Sequence, residues 1–492
     1  MSTDAEHQVW EGEIGFVVEA KGYLLALEGL PSARINNVIV NSKGQRALVT
    51  ALREESVEAL LLDRGNVSSG DRFMLSNDGI MYSFGEQLFG RVINAVGEPI
   101  DDGDAFGVKN TPLFLDVDAP TMSARAPMTT QLNTGMSAVD VLMPIAKGQR
   151  QLIIGPIASG KNLFLESLFA NQATTEVVCI YAFIGRPVEY VEDSITRIFS
   201  EKGNHRSIII ASFSDEPASI IYLTPLVAVE LAEYFSHDGK DVIVVLDDLG
   251  THARYLREIA LLSGRVPGRE SYPGDLFFQQ ASMLERGGRF NKTMGNGSIT
   301  MLPVLETNIE DISSLVSTNI ISATDGHLFF SPLRHAEGVF PAIIPDASVT
   351  RVGRKTQNTL TTQLSLRVQA LLAEHERQQR YSQFGTQLSQ KTRRIIARGQ
   401  ILRVLLSQEQ MSAIPLEAQV VLLSLVFTTF FDDKDVAFAT RFRRALTDAV
   451  MRADADPVAG PVVVSARRGS ISLDQFLRKL SEALPYFTAV CQ

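Results

Sequence analysis

The chain has 492 residues, too many for one hydrophobic core, and this length predicts about three domains of ordinary size. A formal net charge of −10 argues against broad, nonspecific binding of nucleic acid, although it does not exclude a local basic channel. No apolar run approaches the roughly 18 uncharged residues that a membrane-spanning helix needs, so we expect any membrane contact to be made through partners.

The N-terminal stretch, MSTDAEHQVWEGE, is polar and acidic and lacks the apolar core of a secretory signal. The only cysteines, Cys179 and Cys491, form no disulfide framework. Cytoplasmic residence is therefore the default expectation.

Residues 1–84 have the pattern of short strands separated by turns. From Glu11 to about Phe84, apolar and polar residues partly alternate, with glycine-containing breaks about every eight to twelve residues. This pattern is typical of a small β-barrel or sandwich. An oligonucleotide-binding barrel would carry exposed aromatic residues among basic ones, which this region lacks, so a structural or assembly role is favoured.

Residues 85–357 change to buried-strand runs that alternate with helical patterns. Four apolar runs are of the kind that parallel sheets bury on both faces: RQLIIG, EVVCIYAFIG, RSIIIASFS and DVIVVLDD. Between them lie amphipathic stretches such as NLFLESLFANQ and TPLVAVELAEYFSHDG. This order predicts an α/β domain with a mainly parallel sheet and crossover helices.

Residues 358–492 mostly lack such runs and show helical spacing instead. Apolar residues first recur at Leu360, Leu364, Val368 and Leu371. Further helical patterns follow at QKTRRIIARGQILRVLLSQ, LEAQVVLLSLVFTTFF and SLDQFLRKLSEALPYF. The region is predicted to be an α-helical bundle.

The stretch GPIASGKN, residues 155–162, has the glycines and lysine of a phosphate-binding loop. It lies between the strand QLIIG and a helix that begins near Lys161, so its backbone N–H groups would form an anion nest and Lys161 would reach the outer phosphates. The fixed residues alone are weak evidence, because such a match also arises by chance. We predict that five residues of this loop bind a nucleotide: Gly155, Ser159, Gly160, Lys161 and Asn162.

Asp247 and Asp248 end the buried strand DVIVVLDD, later in the same sheet. Phosphate-loop proteins place there the carboxylate that holds magnesium or its water shell. The alternative is a pair of solvated carboxylates at a strand end. With the loop in the same domain, we predict that Asp247 belongs to the nucleotide site.

Several longer segments resemble one known family, in the same order and at the expected places. They include TGMSAVDVLMPIAKGQRQLIIG, GRVPGRESYPGDLF, MLERGGR, SVTRVGRKTQ and YSQFGTQLSQKTRRIIARGQILRVLLSQEQ. Together they are similar to the alpha subunits of F-type ATP synthases, from about Glu11 to the C-terminal helical region. The resemblance implies an N-terminal β-barrel, a central RecA-like P-loop domain and a C-terminal helical bundle.

The resemblance also implies partners and a place in the cell. Alpha subunits alternate with beta-type subunits in a hexameric head around a gamma-type central stalk, with a peripheral stalk subunit attached. Membrane contact is made only through the ion-conducting sector, so we expect a peripheral complex at the cytoplasmic face of the inner or plasma membrane, with no nucleic-acid partner. The expected ligands are ATP or ADP with Mg²⁺.

The same resemblance assigns roles to individual residues. Arg351, in SVTRVG, matches the arginine finger that acts in trans on the neighbouring beta-type site, where Ser322 would help to position it or a phosphate. Gln408 and Gln410, in SQEQ, match the pair that reaches the adenine. Arg186 stands where beta subunits carry the carboxylate that polarises the attacking water, and a cation there cannot act as a general base.

Three departures from the family pattern qualify these expectations. Asn162 replaces the threonine whose hydroxyl ligates magnesium, so a metal held by Asn162 and Asp247 through the nucleotide would be weakened or rebuilt. Phe340 replaces an arginine near the adenine, and the helix that usually precedes the barrel in this family is not recognised. We expect a nucleotide site that is structural or regulatory and does not hydrolyse ATP.

Other functions remain as alternatives. A self-sufficient secretion-type motor would need a carboxylate in place of Arg186 and a hydroxyl in place of Asn162. A Rho-like translocase would need an aromatic, basic barrel and a basic central channel. An alpha-like paralogue serving another hexameric ATPase machine is compatible with the sequence.

Overall fold

The computed structural model describes residues 13–76, 80–107, 111–112, 117–199, 206–266, 268–308, 311–382 and 389–490. The expectations for the stretch before the barrel and for Cys491 fall outside these residues. Within them, a β-barrel, an α/β region and a helical region follow each other along the sequence, which confirms the predicted fold class.

The first part is a closed barrel of six antiparallel strands in the order β1-β2-β5-β4-β3-β6. The strands are β1 (Ile14–Lys21), β2 (Leu24–Glu28), β3 (Val38–Asn41), β4 (Arg46–Leu52), β5 (Val57–Leu61) and β6 (Arg72–Leu75). Side chains that alternate along them, such as Leu25, Leu27, Ile39 and Phe73, fill the interior and are fully buried. Because the sheet is closed, this region is a barrel and not the sandwich that the sequence pattern also allowed.

Short elements connect the barrel to the central sheet. They are β7 (Met81–Tyr82), β8 (Val92–Ile93), β9 (Thr111–Pro112), β10 (Gln131–Leu132), α1 (Ser137–Asp140) and β11 (Ile145–Ala146). β7 pairs with β9 and β10 with β11, whereas β8 joins the central sheet as an edge strand. Two-residue strands carry too little pattern for sequence reasoning, and none of them was predicted.

The central sheet has the path β19-β18-β12-β17-β15-β13-β14-β8. Its long and short strands are β12 (Gln151–Gly155), β13 (Val178–Arg186), β14 (Ser207–Phe213), β15 (Asp241–Asp247), β16 (Gly288–Arg289), β17 (Ser298–Glu306), β18 (Gly326–Phe329) and β19 (Val349–Thr350). All neighbours on the path are parallel except β18 and β19, and β16 adds an antiparallel pairing to β17. The four predicted strand runs are β12, β13, β14 and β15.

Helices cover both faces of this sheet. They are α2 (Lys161–Asn171), α3 (Val188–Ile198), α4 (Ala218–His237), α5 (Leu249–Leu262), α6 (Leu276–Glu285), α7 (Leu315–Ala323) and α8 (Pro332–Ala336). By length and composition alone, α4 would be apolar enough to cross a membrane. However, 78% of its apolar window is buried inside the protein, where it packs on β13, β15 and α5. The apolar residues of α4 therefore form part of the hydrophobic core.

The last part consists of helices. They are α9 (Thr359–Ser382), α10 (Gln390–Leu406), α11 (Leu416–Leu425), α12 (Val436–Arg452), α13 (Gly460–Arg468), α14 (Leu473–Glu482) and α15 (Leu484–Val490). The helical patterns identified in the sequence correspond to α9, α10, α11, α14 and α15. One continuous apolar core joins these helices to α2 and to one face of the central sheet.

Candidate nucleotide site and interface arginine

The phosphate loop connects β12 to α2, as the sequence predicts. β12 ends at Gly155, and α2 begins at Lys161. Gly160 has a left-handed backbone (φ 80°), and a Cβ atom there would lie 2.9 Å from Nδ1 of His335. Only glycine meets both constraints, so the loop can place its backbone N–H groups at the start of α2.

Lys161 lies inside the loop. Its side chain is buried, and Nζ donates hydrogen bonds to the carbonyl oxygens of Gly155 (2.9 Å) and Pro156 (2.6 Å) and to Oγ of Ser159 (3.3 Å). Burial lowers the pKa of Lys161, and the charges of Glu306 and Asp247 partly offset that effect. The structure thus brings together Gly155, Ser159, Gly160 and Lys161, four of the predicted loop residues, around the Lys161 ammonium group.

A cleft of about 230 Å³ opens beside the loop. Its wall contains the loop itself from Ile157 to Leu163 and four side chains from other elements: Tyr190, Arg197, Glu306 and His335. Lys161 and Arg197 supply positive charge, and the loop supplies backbone donors, which suits a string of phosphates. We call this cavity the loop cleft.

Asp247 has both carboxylate oxygens engaged by protein donors. The residue is fully buried at the end of β15. Oδ2 accepts hydrogen bonds from the hydroxyl groups of Tyr190 (2.9 Å) and Tyr181 (3.2 Å), and Oδ1 accepts one from Arg186. The predicted metal carboxylate is therefore saturated by its neighbours.

Arg186 lies at the end of β13, the strand next to β15, and contacts several acidic side chains. Nη2 pairs with Asp247 and lies 3.9 Å from Asp248, while Nη1 donates to Glu306 at 3.0 Å. We call these four side chains the Arg186 cluster. Because Glu306 also lines the loop cleft, the cluster borders the place where phosphates would bind.

The electrostatics of the Arg186 cluster favour permanent charge. Burial alone would lower the pKa of the Arg186 guanidinium, but Asp247 and Asp248 raise it far above its ordinary value. Burial would raise the pKa of the Glu306 carboxyl group, but the Arg186 guanidinium holds that pKa below its usual range. At neutral pH, Arg186 is therefore a fixed cation and Glu306 a carboxylate.

These residues do not fit the magnesium site that the family pattern implies. Magnesium requires carboxylate, hydroxyl or water oxygens in octahedral geometry, and Asp247 directs both of its oxygens at protein donors. Within the described ranges, no group of three or more His, Cys, Asp or Glu side chains is placed to hold a metal ion. Asn162 offers an amide in place of the hydroxyl.

Arg351 lies outside the loop cleft, one residue after β19, and its side chain is exposed. Its backbone N–H donates to the carbonyl oxygen of Asp325 (3.1 Å), and the preceding Thr350 donates through Oγ1 to the carbonyl oxygen of Pro144 (2.9 Å). The guanidinium makes no hydrogen bond or ion pair with any described residue. A rigid backbone thus presents a free arginine to solvent.

Ser322 is exposed near the end of α7. Its hydroxyl donates to the carbonyl oxygen of Thr318, one turn earlier in the same helix, at 2.8 Å. The structure gives it no hydrogen bond to Arg351 among the residues described. The two residues predicted to act together are thus not in direct contact within this subunit.

Gln408 and Gln410 differ in their environments. Gln408 is buried, its Nε2 donates to the carbonyl oxygens of Gly135 (2.8 Å) and Ser412 (2.7 Å), and its Oε1 accepts from the N–H of Ser137 (3.1 Å). Gln410 is exposed. In this structure Gln408 joins the helical region to the central domain, and its amide is occupied by those contacts.

Sequence reasoning missed four residues of the loop cleft: Tyr190, Arg197, Glu306 and His335. His335 on α8 lies directly over Gly160, and Tyr190 on α3 links the cleft to Asp247. Tyr190 follows Arg186 by four residues, and its ring lies 5.1 Å from the guanidinium carbon. The available signal was the position of Tyr190 and His335 just after strands of the central sheet, where parallel α/β folds build ligand sites.

Comparison with protein families identifies two matching regions. Residues 135–350 match the nucleotide-binding domain of the ATP synthase alpha/beta family, and residues 357–459 match the C-terminal domain of its alpha/beta chains. The protein is 34% identical over 440 residues to ATP synthase subunit alpha 1 of Rhodopirellula baltica, an alignment that covers 89% of this sequence and 87% of that protein. It is 32% identical over 440 residues to ATP synthase subunit alpha 2 of Nitrosospira multiformis, covering 89% and 86%.

Proposed function

This chain belongs to the ATP synthase alpha/beta family, and from that membership we propose that it is the noncatalytic, nucleotide-binding alpha-type subunit of a rotary F-type ATP synthase head. The similarity to relatives named as alpha subunits extends over 89% of the sequence. In this role the protein binds ATP or ADP itself and completes the catalytic site of a neighbouring beta-type subunit.

The position of Arg186 supports the noncatalytic role most directly. A general base for hydrolysis must accept a proton from the attacking water, and a guanidinium bound to Asp247 and Glu306 cannot do so. Asp247 itself is bound to two tyrosine hydroxyls, so it is not free to take over that task. The site retains the means to hold phosphates but lacks a group that activates water.

Nucleotide binding is assigned to the loop and its cleft. Backbone N–H groups from Ile157 to Gly160, the Lys161 ammonium and the hydroxyl of Ser159 are the groups that hold the phosphates. Gln410 is the exposed member of the pair proposed to reach the adenine. Magnesium held by Asn162 and Asp247 is not part of this proposal, because those residues do not fit it.

Arg351 is proposed to act on the neighbouring subunit. In phosphoryl transfer, a guanidinium supplied in trans stabilises charge on the transferred phosphoryl group and accelerates the step by about 10³ to 10⁵. An exposed arginine without an internal partner, held on a fixed backbone, is suited to this task. Ser322, on the same subunit, would help Arg351 by binding a phosphate of the neighbouring subunit's site.

The assembly follows from this role. Partners are beta-type subunits that alternate with this one, a gamma-type central stalk and a peripheral stalk subunit. The head is peripheral to the membrane and reaches it through the ion-conducting sector, at the cytoplasmic face of the inner or plasma membrane.

A second candidate is an alpha-like paralogue that serves another hexameric ATPase machine with its own beta-type partner. The departures from the family pattern at Asn162 and Phe340 favour keeping this candidate. Arg186 and Asn162 argue against a self-sufficient secretion-type motor, and the acidic net charge of −10 argues against a Rho-like translocase.

The proposal is tested by ATP hydrolysis measured for the full-length protein alone and after assembly with the beta-type and gamma-type subunits of the same genome. We expect no turnover by the protein alone and turnover by the assembly. Arg351→Ala should lower turnover by about 10³-fold or more while leaving nucleotide binding by this subunit unchanged.

Arg354→Ala provides the matched control, because Arg354 is an exposed arginine three residues later in the sequence. Its loss should leave turnover of the assembly unchanged. Turnover by the isolated protein would contradict the noncatalytic assignment and favour the motor. Full turnover with Arg351→Ala would exclude the arginine finger.

A further inference from the structure

The Arg186 cluster surrounds one guanidinium with three carboxylates next to the loop cleft. Asp247, Asp248 and Glu306 place three carboxyl groups beside Arg186, and Glu306 lines the cleft itself. Without a cation, these carboxylates would repel the phosphates of a nucleotide held by Lys161. Some positive charge must therefore be present beside the phosphates, and in most phosphate-loop sites magnesium supplies it.

In this protein the charge is already provided by a side chain. The Arg186 guanidinium is nearly buried and binds Asp247 and Glu306 at once, so its single positive charge is shared between the two carboxyl groups that lie nearest to it. The ring of Tyr190 covers the guanidinium, and its hydroxyl occupies Asp247 from another direction. A magnesium ion bound to Asp247 would first have to displace both contacts.

Asn162 is a second feature that distinguishes the loop cleft from a magnesium site. It is the second residue of α2 and lines the loop cleft, and its side chain makes no hydrogen bond within the described ranges. A hydroxyl at this position can ligate a metal, whereas the amide has two N–H donors that can bind a phosphate oxygen directly. A phosphate oxygen is most available to such donors when no metal ion holds it.

We propose that Arg186 is a built-in cation that replaces magnesium, and that the loop cleft therefore binds nucleotide in its metal-free form with Asn162 donating to a phosphate. This inference rests on the proposed function insofar as it requires a nucleotide in the loop cleft. It specifies the ligand of that site as free ADP or ATP rather than the magnesium complex.

The test measures the affinity of the full-length protein for ADP and for ATP, by calorimetry, in excess magnesium and in excess EDTA. We expect both dissociation constants to be larger in excess magnesium than in excess EDTA, by at least about tenfold for ATP and by less for ADP, because magnesium in solution withdraws the free nucleotide that the site takes. In parallel, Mn²⁺ added to the ADP-bound protein should give the electron paramagnetic resonance spectrum of Mn²⁺ in solution.

Two variants should restore dependence on the metal. Asn162→Thr restores the hydroxyl, and adding Arg186→Gln also frees Oδ1 of Asp247, while Tyr181 and Tyr190 still bind Oδ2. The double variant should bind ADP at least about tenfold more tightly with magnesium than with EDTA. Arg91→Gln is the matched control, because it also removes an arginine–aspartate pair (Arg91 with Asp101) but lies outside the loop cleft. It should leave the affinities as in the unaltered protein.

The possible outcomes separate this inference from the proposed function. Binding by the unaltered protein that is equal in the two conditions or tighter in magnesium, or a Mn²⁺ spectrum typical of a protein-bound ion, would overturn the inference and leave the nucleotide site intact. Absence of binding in both conditions would overturn the inference together with the nucleotide-binding part of the proposed function. If the double variant does not fold, Asn162→Thr and the Mn²⁺ spectrum still decide.

Discussion

Gly353 fixes the backbone on which Arg351 is presented. A Cβ atom at Gly353 would lie 1.6 Å from the carbonyl oxygen of Pro144, which also accepts the hydrogen bond from Thr350. No side chain fits there unless the segment moves. The arginine proposed to reach a neighbouring subunit therefore depends on a residue that has no functional group of its own.

Gly353→Ala should destabilise the protein by about 1–3 kcal/mol, because backbone has to move to make room for the methyl group. The displaced segment carries Arg351, so turnover of the assembled head should fall as well. Urea unfolding and hydrolysis by the assembly measure the two effects. At Gly274 an added Cβ meets nothing within 4 Å, so Gly274→Ala should change neither quantity, and an equal loss in both variants would contradict the steric argument.

At this scale the sequence predicts residues whose chemistry is local. Gly160 and Lys161 are recognised because loop, nest and helix start are consecutive in the sequence. The partners of Arg186 are not predictable in this way, because they come from β15 and β17, and the strand order that brings them together is a property of the sheet. The occupation of Gln408 by Gly135 and Ser137 was unforeseen for the same reason.

His252 on α5 couples the packing of α4 and α5 to pH. Its ring is buried, Nε2 lies 3.2 Å from the carbonyl oxygen of Tyr222 on α4, and Nδ1 has no hydrogen-bond partner within the described ranges. Burial lowers the pKa of His252 to about 4. The folded protein therefore keeps this imidazole neutral at pH values where the unfolded state protonates it.

The free energy of unfolding should fall as the pH is lowered from about 6.5 to about 4, by about 3 kcal/mol from this residue. The sign follows because the unfolded state binds the extra proton in that range. Unfolding measured in urea across these pH values tests the slope, which His252→Gln should reduce. His237→Gln is the control, since His237 is exposed at the end of α4, and an unchanged slope in His252→Gln would refute the assignment.

The strands built from long apolar runs were predicted, whereas two helices were missed. The runs that became β12 to β15 are apolar throughout because the sheet buries both of their faces. α12 and α13 were not identified in advance. Their helical order owes much to tertiary packing and to local caps, such as the Asp435 side chain that accepts a hydrogen bond from the N–H of Phe438.

Over the whole molecule, two glutamines attach the helical region to the central domain. Gln408 binds Gly135 and Ser137, and Gln419 donates to the buried carboxylate of Asp140 at 2.8 Å. Burial raises the pKa of Asp140 to about 6, although four donors favour its charged form. Polar contacts thus fix how the two parts meet within a continuous apolar core.

Gln408→Ala should lower the free energy of unfolding by about 2–4 kcal/mol, because it leaves the carbonyl oxygen of Ser412 and the N–H of Ser137 without a partner and removes one of the two hydrogen bonds to the carbonyl oxygen of Gly135. Gln410→Ala changes an exposed residue and should cost less than about 0.5 kcal/mol. Urea unfolding measures the stability of the two variants. ADP affinity measured on the same samples shows whether either glutamine contacts the adenine, apart from any role in attaching the helical region to the central domain. Equal stability of both variants would contradict the docking role of Gln408.

The three-part architecture was predictable because each part has its own pattern of strands, alternating elements or helices. How the parts attach was not, since contacts such as Tyr23 with Glu258, or Arg53 with the carbonyl oxygen of Ser263, join residues more than 200 positions apart. Such pairs show no periodicity in the sequence. They arise only once the barrel and α5 are both formed.

Closure of the barrel determines how copies of it can meet in a ring. A strand at the edge of an open sheet offers unpaired backbone groups that accept any other strand, whatever its sequence. Each of the six barrel strands already has a neighbour on both sides, so in the assembly proposed above the barrel would meet a neighbour through side chains; Phe16, Val18, Ile35 and Leu52 are 46–54% exposed. In that proposed head, unlike subunits differ in their side chains and not in their backbone, so contacts made by side chains would distinguish a foreign neighbour from another copy of this protein and favour a finite, alternating ring over an endless fibre.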